Sequence, residues 1–169
     1  MSLPEVQAGA LSFQPFPTEH NMAMNTQKII VGGLAAGVVL NIIDWLGYGV
    51  ILADSLKVEM DAFKPGLSDV MSGGRSIAMA VVTDFVIGIL LVWTYAAIRP
   101  RFGPGPSTAA AAAVLFWFIG SLLNAGYLHM GMMSMGTWWT FAIIWLVNLL
   151  LAAFIGAKLY TEEGTAAAA

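Results

Sequence analysis

The sequence predicts an all-α integral membrane protein in which four spanning helices form a bundle. Three observations carry that prediction. The 169-residue chain is 59% hydrophobic and only 10% charged, with a mean hydropathy of +0.79, whereas soluble domains carry about 25% charged residues. Its apolar residues fall into four long blocks, residues 29–53, 76–98, 107–131 and 136–158. Each reaches the ~20 residues that cross a hydrocarbon core of about 30 Å. Within those blocks the acidic and basic residues are Asp44, Asp84 and the terminal Lys158. A soluble bundle would need polar outer faces, which "FVIGILLVW" and "FAIIWLVNLLLAAFIG" lack. The alternation of a membrane β-barrel is absent too.

The elements follow in order. Residues 1–27 are mixed in polarity, carry Pro4, Pro15 and Pro17, and show no helical period. They lack the basic start and cleavage site of a signal peptide, and they read as an extended segment lying along a neighbouring subunit or the membrane surface. Residues 28–160 form the membrane domain. The first helix ends near Ala53 or continues as an amphipathic stretch, because Leu56, Met60 and Phe63 keep a helical spacing until Lys64-Pro65-Gly66. The second helix follows "SGGR". The prolines and glycines of "RPRFGPGP" exclude a continuous helix between the second and third spans. The link "GMMSMG" is so short that the last two helices are antiparallel neighbours, and residues 161–169 form a short tail.

Each apolar block contains one strongly polar residue. Asp44, Asp84, Asn124 and Asn148 fall roughly 13, 12, 10 and 18 Å from the outer ends of their helices at 1.5 Å per residue. They are expected to share one intramembrane polar layer with Asn41. The two hairpins also match loosely as a tandem repeat, with Asn41-x-x-Asp44 over Ser121-x-x-Asn124 and Asp84 over Asn148. Gly33, Gly37, Asn41, Asp44 and Tyr48 line one helical face, and Gly33-x-x-x-Gly37 is a small-residue helix-packing motif. An Asp at mid-membrane costs about 2.5–3.5 kcal/mol on insertion scales, so Asp44 should point into the bundle. Two carboxylates so close would not both ionise, and at least one should hold a proton. Such a layer can fix helix register, or it can carry protons or cations.

"YLHMGMMSMGTWW" places His129 four residues from Met133 among further methionines. Thioethers with an imidazole suit Cu(I), and His129 could be an axial ligand to haem or a pigment. Methionine as core filler is the simpler reading, and the sequence requires no cofactor. Trp45, Trp117 and Trp145 read as packing residues. Lys28, Arg99, Arg101 and Lys158 lie on one side and Lys57, Lys64 and Arg75 on the other. With Arg99 and Arg101 in a short loop as the anchor, both termini are expected in the cytoplasm. There is no cysteine, so no disulfide or thiolate site, and the net charge of -3 points to no nucleic-acid partner. No nucleophile elbow, phosphate loop or metalloprotease helix occurs.

"LVWTYAAIRPRFGPGPSTA", the Trp117 helix and the closing "GAKLYTEE" together resemble a group of small uncharacterised four-helix bacterial membrane proteins. These carry an "AIRPRFGPG" turn and an acidic or amide residue in the first and last helices, positions held here by Asp44 and Asn148. The resemblance covers roughly residues 25–163; residues 1–24 and the Met-rich turn depart from it. It implies a multi-pass protein of the bacterial inner membrane and no particular activity. The expected role is therefore a non-enzymatic accessory or scaffolding subunit, with the bilayer and other membrane subunits or further copies as partners. A proton- or cation-coupled transporter built on Asp44 and Asp84 is the alternative, and a pigment-, haem- or metal-binding subunit using His129 is the third reading.

Overall fold

The computed structural model describes residues 24–161; most of the N-terminal segment and nearly all of the tail lie outside them. The described chain contains six α-helices and one π-helical turn, with no strand among the described residues. The helices are α1 (Thr26–Leu46), α2 (Ala53–Phe63), α3 (Leu67–Met71), α4 (Gly74–Phe102), α5 (Pro106–His129) and α6 (Met135–Leu159). The π turn, Gly47–Ile51, extends α1 and is closed by the Leu52 amide bonding to the Gly47 carbonyl at 2.8 Å. The segments Thr26–Ile51, Gly74–Phe102, Pro106–His129 and Met135–Leu159 are each long and apolar enough to cross a bilayer. The chain is thus an all-helical, four-span membrane bundle.

Local chemistry sets the ends. The Asn25 side chain caps α1 by accepting from the Lys28 amide at 2.9 Å, and Ser134 caps α6 by accepting from the Thr137 amide at 3.2 Å. The α5 helix closes with the paired bonds of a Schellman motif, Met132 to Tyr127 at 2.9 Å and Gly131 to Leu128 at 3.0 Å, around Gly131 at φ 71. The "RPRF" stretch corrects the expected boundary: α4 runs through Pro100 to Phe102. Pro100 falls in the last turn, where its missing amide costs a single terminal bond. The chain actually breaks at Gly103 and Gly105, at φ 80 and 136, values that L side chains rarely adopt. The following Pro106 starts α5 at the position where proline is best tolerated.

Packing is uneven along the bundle. Helix α1 lies between α4 and α6, and α6 lies between α1 and α5. Backbones touch where α1 meets α4: a Cβ on Gly37 would sit 2.9 Å from Phe85 Cα, and one on Gly88 2.6 Å from Gly37 N. On the next face of α1, a Cβ on Gly32 would sit 2.7 Å from the Gly156 carbonyl oxygen of α6. The buried apolar cluster draws on Leu40, Leu91, Leu149 and a run of alanines, and it occupies the half of the bundle nearer the termini. The other half is more loosely packed. No residue of α4 before Asp84 is buried, and none of α5 after Ser121.

Candidate intramembrane polar site

The glycine contacts fix the register and hence which polar groups meet. Gly37 faces Phe85, and Asn41 donates to the Val81 carbonyl at 3.4 Å, as well as to Gly37 of its own helix at 2.9 Å. On the other side Gly32 faces Gly156. Counting two turns outward from Gly32 and Gly156 brings Leu40 level with Asn148. There Asn148, fully buried at 0% exposure, donates its Nδ2 to the Leu40 carbonyl at 3.2 Å and to Asp44 Oδ1 at 2.6 Å. Val92 touches Gly156, so Asp84, two turns outward on α4, falls level with Asn148 on α6. Asp44 stands one turn further out. Helical side chains lean toward their own N-terminus, so Asp44 leans inward and Asp84 outward, each toward the other's level.

Asp84 is buried, at 8% exposure. Tyr48 stands one turn beyond Asp44 in the π turn. No described Lys or Arg lies within the spans near these groups; the basic residues stand at the ends of the spans, on α2 and in the loops. Two acids, an amide and a phenol from three helices therefore lie at neighbouring levels near the middle of the bundle. The Asn148 Oδ1 is buried without a hydrogen-bond partner, as is Ser121 Oγ on α5.

Not every residue expected in the layer reaches it. Asn124 donates to Gly120 of its own helix at 3.1 Å. Gly120 abuts Trp145, and the Trp117 indole donates to the Ala142 carbonyl at 2.8 Å. Asn124 therefore lies further toward the loops than Asn148, because equal depth per helix ignores the stagger between helices. Trp117 and Trp145 pack as expected, but Trp45 is 68% exposed and faces outward. His129 is exposed at the end of α5 and Met133 is half-buried in the turn. No group of three His, Cys, Asp or Glu forms among the described residues. Met130 and Met135 are 55% and 60% exposed, so they fill no core. Arg99 stacks on the Tyr160 ring, 5.6 Å from its centroid, while Arg101 is exposed in the same last turn of α4.

One contact has no counterpart in the sequence reading. Glu59 of α2 reaches the N-terminus of α6, where Oε2 accepts from the Ser134 amide at 3.1 Å and Oε1 from the Thr137 hydroxyl at 2.7 Å. A capping box normally places its acid three residues into the capped helix. Here that position is Thr137, and the carboxylate comes from a different helix. Partial desolvation pushes the Glu59 carboxyl up, but the bonds from Ser134 and Thr137 outweigh it and hold the group below its ordinary value. No family model, curated protein or solved structure matches this chain, so its function has to be argued from the polar site itself.

Proposed function

We propose that this four-span membrane protein is a non-enzymatic carrier of protons or small cations, with Asp44 and Asp84 as the carrying groups. One observation supports this reading over a scaffold: two carboxyls stand within the spans, Asp44 bonded to Asn148 and Asp84 buried at the level of Asn148, and no described basic side chain accompanies them. Register alone could be fixed by amides, without the cost of acids at this depth. The loosely packed loop end of α4 and α5 would serve as the way in, and the packed alanine-rich half below the site as the seal. Basic residues at the 99–101 turn favour cytoplasmic termini in a bacterial inner membrane, with the entrance facing outward. The experiment is flux into proteoliposomes under an imposed pH or cation gradient, compared with Asp44→Asn. Flux in the wild type that disappears in a stably folded variant supports the carrier. No flux in a folded wild type refutes it.

The accessory-subunit reading keeps one observation in its favour. No residue of α4 before Asp84 and none of α5 after Ser121 is buried, and a further membrane helix would cover these ends. Purification of the native protein, alone or in a complex, tests that reading.

A further inference from the structure

The chemistry of the carried ion follows from the oxygen that the polar site leaves over. Asn148 is wholly enclosed, and its Nδ2 is committed to Leu40 and Asp44. Its Oδ1 has no donor, although leaving a buried acceptor unsatisfied costs about 1–3 kcal/mol. This oxygen belongs to the same amide that touches Asp44, and Asp84 is buried on α4 at the level of Asn148. Three helices thus carry oxygen ligands at neighbouring levels of the bundle, and these residues contribute no sulfur or imidazole.

Oxygen-only surroundings suit hard cations. A Ca²⁺ ion collects six to eight oxygens, commonly from several carboxylates, and Mg²⁺ retains much of its water. Two carboxylates and one amide, with no third acidic or imidazole ligand among the described residues, make a sparser shell that fits a monovalent ion. We propose that Asp44, Asp84 and the Asn148 Oδ1 form a Na⁺ site, entered from the loosely packed loop end of the bundle. This rests on the carrier reading above and names its ion. The charges balance when one Na⁺ sits between the carboxyls and one of them keeps a proton. Loading then supplies the partner that the Asn148 oxygen lacks. Toward the termini the path is blocked by Leu40, Leu91 and Leu149, all at 0–1% exposure.

The test uses the full chain, purified in detergent at constant ionic strength. Unfolding temperature and ²²Na⁺ binding are followed as Na⁺ replaces N-methylglucamine, with K⁺, Ca²⁺ and pH series alongside. Na⁺ should raise the unfolding temperature saturably and bind at one site per chain. Asp44→Asn and Asp84→Asn should each abolish saturable ²²Na⁺ binding while melting normally in N-methylglucamine. If a variant fails to fold, the wild-type titration decides alone. Proton flux with no Na⁺ binding would overturn the Na⁺ site and leave the carrier standing. Absence of both would remove both, and preferential binding of Ca²⁺ would overturn the monovalent assignment.

Discussion

Replacing Gly88 with alanine tests whether the backbone contact between α1 and α4 holds the polar site in register. The new Cβ would lie 2.6 Å from Gly37 N and 3.0 Å from Gly37 Cα, and closer still to the Gly33 carbonyl oxygen. Ordinary contact begins near 3.4 Å, and every one of these neighbours is main chain, so no side chain can rotate away. The two helices must separate by several tenths of an ångström or more. Overpacking of this kind typically costs about 1–3 kcal/mol. Asp84 lies one turn from Gly88 on the same face and would be drawn away from Asn148. Gly126 of α5 provides the control, because a Cβ there meets nothing within 4 Å. Gly126→Ala should gain up to about 1 kcal/mol from helix propensity. Reversible unfolding in mixed micelles measures both. If Gly88→Ala proves as stable as Gly126→Ala, the close approach of α1 and α4 is wrong, and the register of the polar site falls with it.

The remaining expectations concern the site, the latch and the topology. Asn148→Leu should destabilise the fold by about 1–3 kcal/mol, since Asp44 and the Leu40 carbonyl both lose a donor. Asn124→Leu should stay within about 0.5 kcal/mol, the usual range for residues outside such networks. Equal losses in thermal unfolding would contradict the split between them. Glu59→Ala should cost about 0.5–2 kcal/mol, as for other lost helix caps, nearer the lower figure for so exposed a carboxylate. Hydrogen exchange at the Ser134 amide should accelerate in the variant. Because folding lowers the Glu59 pKa from its ordinary 4.5, its contribution is complete above pH 4.5 and fades as pH falls through the lower folded value. Protection at Ser134 that is unchanged under acid would refute the latch. Reporter fusions at Ala169 and within residues 54–75 should give opposite readings, and a periplasmic signal from Ala169 would invert the assigned orientation.

What could be read from the sequence was governed by period and composition. Four blocks almost free of charge reveal four spans, because lipid admits little else. The Gly33, Gly37, Asn41, Asp44 and Tyr48 stripe was legible because side chains three and four apart share a face. Its split duty was not: Gly33 and Gly37 turn to α4 while Asp44 turns to Asn148 of α6. Asn124 was misplaced because its depth is a property of one helix, whereas its partners depend on how α5 slides against α6. Trp45 sits beside Asp44 in sequence but about 100° round the helix, which carries it from the bundle to the outside. Glu59 was invisible because its partners are 75 and 78 positions away, and no local pattern encodes such a meeting.

The π turn carries a consequence for how this chain can vary in length. A regular helix advances about 1.5 Å and turns about 100° with each residue. Losing one residue between Gly33 and Asp44 would swing either the glycines away from α4 or the carboxylate away from α6. The bond from Leu52 back to Gly47 spans five residues instead of four, so the turn already holds one residue more than an α-helix requires. Removing one residue there would restore the ordinary pattern while α1 below and α2 above kept their facing. The end of this turn, beyond Tyr48, is thus a splice point, where the first span can absorb a change in length without disturbing the site on one side or the Glu59 latch on the other.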